Sequence, residues 1–151
     1  MIIMNKGFTL IEVIIYIALF SLLIGTAFIA AHQLTESSSV LSTKNTTQEE
    51  GNFILRKINF ALTGIFSFTN TAHALHVNKY DGNQIDITLV GTKIKMTETT
   101  GPTDFISTDN ISVTNLQFIP TGGAIPGITA TVTITKDGID YIFSITKYIR
   151  T

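Results

Sequence analysis

The chain has 151 residues, a net charge of −1, and 44% hydrophobic against 14% charged residues, which leaves room for one ordinary domain or for one domain plus a membrane segment. The charged share is well below the roughly 25% usual in a soluble domain, and the shortfall sits almost wholly between Gly7 and His32. Lysines and arginines are scattered from Lys44 to Arg150 with no run longer than the pair Arg56-Lys57, so no basic patch and no nucleic-acid partner is predicted, and the lack of cysteine excludes a disulfide framework and thiolate chemistry.

From Phe8 to Ala31 the only polar side chains are Thr9, Glu12, Tyr16, Ser21 and Thr26. As a helix this run extends about 36 Å at ~1.5 Å per residue, enough to span a bilayer. A secretory signal peptide has a shorter apolar stretch, a more basic start and a small-residue cleavage site, and His32-Gln33-Leu34 offers none, so an uncleaved anchor fits better. A helix buried in a globular core would need far more chain around it. Lys6 before the span and Lys44 as the first lysine or arginine after it point to a cytoplasmic N-terminus.

Glu12 is the anomaly of this segment. A carboxylate in a spanning helix costs roughly 2.5 to 3.5 kcal/mol at the bilayer centre and is tolerated mainly where it has a partner. Lys6, six positions back, lies more than a turn and a half away and nearly opposite in angle. A cut between Gly7 and Phe8 would instead create an α-amine four positions from Glu12, at the same membrane depth. Within one chain that amine competes with the helix dipole for the carboxylate; between two chains shifted along a common axis it forms an ion pair in hydrocarbon, and Glu12 becomes a register for assembly.

The segment Lys6-Gly7-Phe8-Thr9-Leu10-Ile11-Glu12 resembles the processing motif of type IV prepilins and of the pseudopilins of type II secretion and competence systems. The resemblance implies that a membrane-embedded prepilin peptidase cleaves after Gly7 and N-methylates Phe8. It further implies that Glu12 pairs with the amine of a neighbouring subunit, and that the apolar helix is first an anchor and then filament core. The implied partners are that peptidase, other pilin-like subunits, the inner-membrane assembly platform and the lipid bilayer. Glycine before the cut lets the backbone enter a protease cleft with no side chain in the way. Two features depart from the pattern: the leader has one cation, Lys6, where several are common, and the helix has no proline, leaving Gly25 and Thr26 as the place where it could loosen.

After the span, residues 32–51 are polar and rich in Ser and Thr, and periodicity then returns. Ile54, Ile58, Ala61, Leu62 and Ile65 recur at spacings of three and four, one apolar stripe of an amphipathic helix, with Gly64 near its end. The segment is read as the aqueous continuation of the anchor helix, with Gly51 as the point where an interruption would fall, and its stripe is expected to cover a sheet.

The remainder alternates apolar and polar residues in the runs QIDITLV, TKIKMTE, NISVTNLQFI, GITATVTITK and GIDYIFSITKYI. Turn signals separate them at Asp81-Gly82, Gly91, Gly101-Pro102, Gly122-Gly123 and Asp137-Gly138. The last predicts a type I′ hairpin, which needs positive φ at both central residues. The expected fold is α+β: a long N-terminal helix packed on a C-terminal antiparallel sheet, with a leader over residues 1–7, a spanning helix over 8–31, its aqueous continuation over 32–65 and a sheet domain over 66–151. The order of helix then meander is also pilin-like, and the run from Asn110 to Arg150 resembles the C-terminal part of J-type minor pseudopilins and related minor pilins.

Catalytic signals are thin. His73 and His76 are three apart, a metal spacing on a helix, but AHALHVN reads as strand or loop, where such residues face opposite ways. Asp81, Asn83 and Asp86 surround a turn but lack the spacing and terminal Glu of a calcium loop. No serine has a nucleophile-elbow context and no glycine-rich stretch has a phosphate-loop Lys-Ser/Thr, so no catalytic residue, metal or cofactor is expected. The leading reading is a structural pilus or pseudopilus subunit, minor by preference; the alternatives are a membrane-anchored binding module for a ligand or DNA, delivered by a prepilin signal, and an anchored enzyme.

Overall fold

The computed structural model describes residues 9–101, 103–122 and 126–149. Lys6, Gly7 and Phe8, the expected leader, Pro102, Gly123 and Arg150 lie outside the described residues. The chain divides into two units, residues 1–42 and 43–151. One helix, α1, runs from Leu10 to Ala61 through both. Eight strands follow among the described residues: β1 (Ile65–Thr71), β2 (Ala74–Lys79), β3 (Gln84–Val90), β4 (Lys93–Glu98), β5 (Asp104–Phe105), β6 (Ser112–Thr121), β7 (Gly127–Lys136) and β8 (Ile139–Tyr148). The α+β arrangement of a long N-terminal helix followed by antiparallel sheets is pilin-like.

In the first unit α1 is uninterrupted at Gly25 and its large apolar side chains are exposed. In the second unit the stripe is as the spacing predicts: Ile54, Ile58, Ala61 and Leu62 are all buried. They join one core with Leu75 and Val77 of β2, Ile85 and Ile87 of β3, Ile94 of β4, Val113 and Leu116 of β6, and Ile128, Ala130, Val132 and Ile134 of β7. Strands β2, β3, β4 and β7 contribute alternate residues, the period of two that places one face of a sheet on a core, while a register shift in β6 sets Val113 and Leu116 three apart.

The strands form two sheets where a single one was expected. The first is a five-stranded antiparallel meander in the order β1-β2-β3-β4-β5, and the second is three-stranded, β6-β7-β8. Between them, the Asn70 side-chain amide donates to the Phe118 carbonyl at 2.9 Å, His73 Nδ1 lies 3.0 Å from the Leu116 carbonyl, and the Val113 amide donates to the Thr92 carbonyl at 2.9 Å. The Asp137-Gly138 turn joining β7 to β8 has φ of 52° and 76°, the two positive values of the type I′ hairpin.

Two expectations about the helix are corrected. The helical pattern was carried to residue 65, yet α1 ends at Ala61, Gly64 adopts φ 70°, and Ile65 opens β1. Ile65 is buried as the stripe requires, but from a strand. A glycine in the left-handed region stops a helix without a Cβ clash, and the Lys79 ammonium donates to the Phe60 carbonyl at 3.3 Å, a cation on the helix C-terminus. Nor is α1 interrupted at Gly51. That glycine is buried, and a Cβ there would come within 2.3 to 2.5 Å of the Phe143 ring of β8, so it is a point of close approach between helix and sheet.

Candidate functional site

The sequence singles out the start of α1, and the first turn hangs on Thr9. The amides of Glu12 and Val13 both donate to the Thr9 carbonyl, at 3.1 and 3.3 Å. Thr9-Leu10-Ile11-Glu12 has the Ser/Thr-x-x-Glu spacing of a capping box, a signal that the sequence itself carries. Glu12 is the acidic residue of the first turn, where the unpaired amides and the helix dipole favour negative charge. One turn on, the Tyr16 hydroxyl donates to Glu12 Oε1 at 3.3 Å. The i, i+4 spacing of Glu12 and Tyr16 would have revealed this contact too.

The helix beyond is an apolar cylinder: Leu22 is 68% exposed and Phe28 74%, so the described chain supplies no cover for them. Its few hydroxyls turn back on their own backbone. Ser21 Oγ donates to the Ile17 carbonyl at 2.7 Å, Thr26 Oγ1 to the Leu23 carbonyl at 2.9 Å and Thr35 Oγ1 to the Ala31 carbonyl at 3.0 Å. Such back-bonding satisfies the hydroxyls of Ser21 and Thr26 within the apolar stretch, as a bilayer demands. The helix is long and apolar enough to cross a membrane.

The sheet residues considered for chemistry are placed separately. His73 lies in the turn between β1 and β2, whereas His76 on β2 pairs with Asp86 on β3, 2.5 Å from Nδ1 to Oδ1, with both side chains partly exposed. Asp81 Oδ1 accepts the Asn83 amide at 2.9 Å, a turn closing on itself. Among the described residues no three His, Asp or Glu side chains gather as a metal site would require.

An α+β chain with an apolar, uncovered N-terminal helix segment, one carboxylate in its first turn and antiparallel sheets following it in the chain has a pilin-like arrangement and fits membrane anchoring. Residues 3–28 match the family model described as the prokaryotic N-terminal methylation motif. The chain therefore carries a prepilin-type signal, which supports a type IV prepilin or pseudopilin-family protein, a class that is structural and not enzymatic. The match spans Lys6, Gly7, Phe8 and Glu12 and stops short of the sheets. No curated protein matches the chain, and no solved structure does.

Proposed function

We propose that the chain is a structural subunit of a type IV pilus or of a secretion or competence pseudopilus, a minor subunit by preference. In this reading prepilin peptidase removes residues 1–7 by cutting after Gly7 and methylates the new amine of Phe8, with Lys6 holding the leader on the cytoplasmic side. Residues 8–31 anchor the precursor in the inner membrane with the sheet domain outside the cytoplasm. The assembly platform then moves the subunit into a filament of pilin-like chains, where Glu12 pairs with a neighbour's Phe8 amine. The minor assignment leans on the likeness of β6 to β8 to J-type minor pseudopilins and related minor pilins.

The observation that carries the reading is the coincidence of the methylation motif with a single carboxylate in the otherwise uncharged, uncovered segment of the helix from residue 10 to 31. A mere anchor gains only the small favour of the helix N-terminus for that carboxylate against its cost in hydrocarbon, whereas an assembly helix uses it as a register. The test is Glu12→Ala in cells that hold the peptidase and the sibling subunits. The variant should still be cut after Gly7 and stay in the membrane, yet fail to crosslink into the filament, because a neighbouring amine would enter hydrocarbon unpaired, at about 3 to 5 kcal/mol for a broken buried pair. Normal incorporation of the processed variant would remove the register mechanism.

A further inference from the structure

We infer that Tyr16 is the positioning residue for Glu12: its hydroxyl fixes the orientation of the carboxylate on the helix surface and leaves it charged for a neighbouring subunit's amine. The inference rests on the assembly role proposed for Glu12. Three observations converge on it. The Tyr16 hydroxyl donates to Glu12 Oε1 at 3.3 Å. Of the described residues from 9 to 42, Glu12 alone is not exposed. Helical side chains lean toward the N-terminus, so it is the residue one turn further on whose side chain lies over a given position, and Tyr16 is that residue for Glu12.

The chemistry follows from which partners surround the carboxylate. A cut after Gly7 puts the chain's own amine four positions before Glu12, and Tyr16 stands four positions after it. A phenol is a neutral donor, so it gives the carboxylate a hydrogen bond in hydrocarbon without cancelling its charge. A carboxylate has about four acceptor sites, and one phenol leaves capacity for an incoming cation. The bond is longer than the usual ~2.5 to 3.0 Å between oxygens, which suits a holding contact that shares the carboxylate when a stronger partner arrives. The phenol itself also needs a partner inside an apolar stretch, and Glu12 supplies it.

Tyr16→Phe keeps the ring and removes the hydroxyl. It should be cut and methylated like the parent, because the scissile bond lies two turns away. In formaldehyde crosslinking and co-purification with the sibling subunits its incorporation should fall about threefold, the size of an average hydrogen bond within a membrane. In a Glu12→Asp background, where the charge and measurable incorporation remain but the carboxylate is one methylene further from the phenol, Tyr16→Phe should cause no further fall, a result that a merely structural tyrosine would not give. Normal incorporation of Tyr16→Phe beside a failing Glu12→Ala would overturn the role of Tyr16 and leave the register intact. Losses that multiply in the double variant would assign Tyr16 to another contact and also overturn it. Normal incorporation of both single variants would overturn the register itself, and this inference with it.

Discussion

Ile58 has no exposed surface and sits in the helix face that the sheets cover, so Ile58→Ala should destabilise the sheet unit by about 2 to 5 kcal/mol, the usual cost of a cavity at a buried isoleucine. Equilibrium urea unfolding of a chain beginning at His32 measures it, and a loss below half a kcal/mol, taken as about the limit for a surface position, would mean that the stripe faces elsewhere. Gly51 makes the opposite argument, through lack of space: Gly51→Val adds carbons where the Phe143 ring already lies and should cost on the order of 1 to 3 kcal/mol by overpacking. Replacing Phe143 by Leu in the same chain should recover part of that loss, which separates a clash from a change in helix propensity. Single residues were read unevenly from the sequence. Ile54, Ile58 and Leu62 announced their burial by spacing, and Asp137-Gly138 announced positive φ by composition. Gly51 stands out as a place where an interruption would fall because a glycine that admits an aromatic ring looks, in one sequence, the same as a glycine that ends a helix. Tyr16 is visible as a polar side chain of the span, but its link to Glu12 is seen only in the hydroxyl contact.

At the scale of elements, every buried side chain among the described residues lies beyond residue 42. A chain beginning at His32 should therefore fold without the apolar segment, show one cooperative thermal transition and sediment as a monomer. Aggregation or the absence of a transition would mean that the sheets need the first unit for their core. Strands β3, β4, β6, β7 and β8 were legible because period-two alternation and glycine turns bracket them. β1 was not, for a physical reason: the pairing of β1 with β2 shifts register between Ile65 and Ser67, so its inward residues, Ile65 and Phe68, fall three apart and mimic a helical repeat. β2 does alternate, with Leu75 and Val77 inward, but six residues between a turn histidine and Asp81-Gly82 are too few to distinguish a strand from a loop. The split into two sheets was likewise hidden, since alternation tells which face a residue takes and not which strand it pairs with.

For the whole molecule the N-terminal motif was far more legible than the fold that follows it. The reason is that an isolated charge in an apolar run contradicts its surroundings, whereas sheet residues agree with many arrangements. The exposed apolar cylinder of α1 implies that the full chain needs lipid, detergent or sibling helices: in cell fractionation it should stay with the membrane through alkaline carbonate, and release into the wash would argue against a spanning anchor. The central claim, that residues 3–28 are a working prepilin signal, is tested most directly by the intact mass of the chain isolated from cells that hold the peptidase. The account predicts loss of residues 1–7 and a single added methyl group on Phe8. An unprocessed chain still beginning at Met1 under those conditions would contradict it.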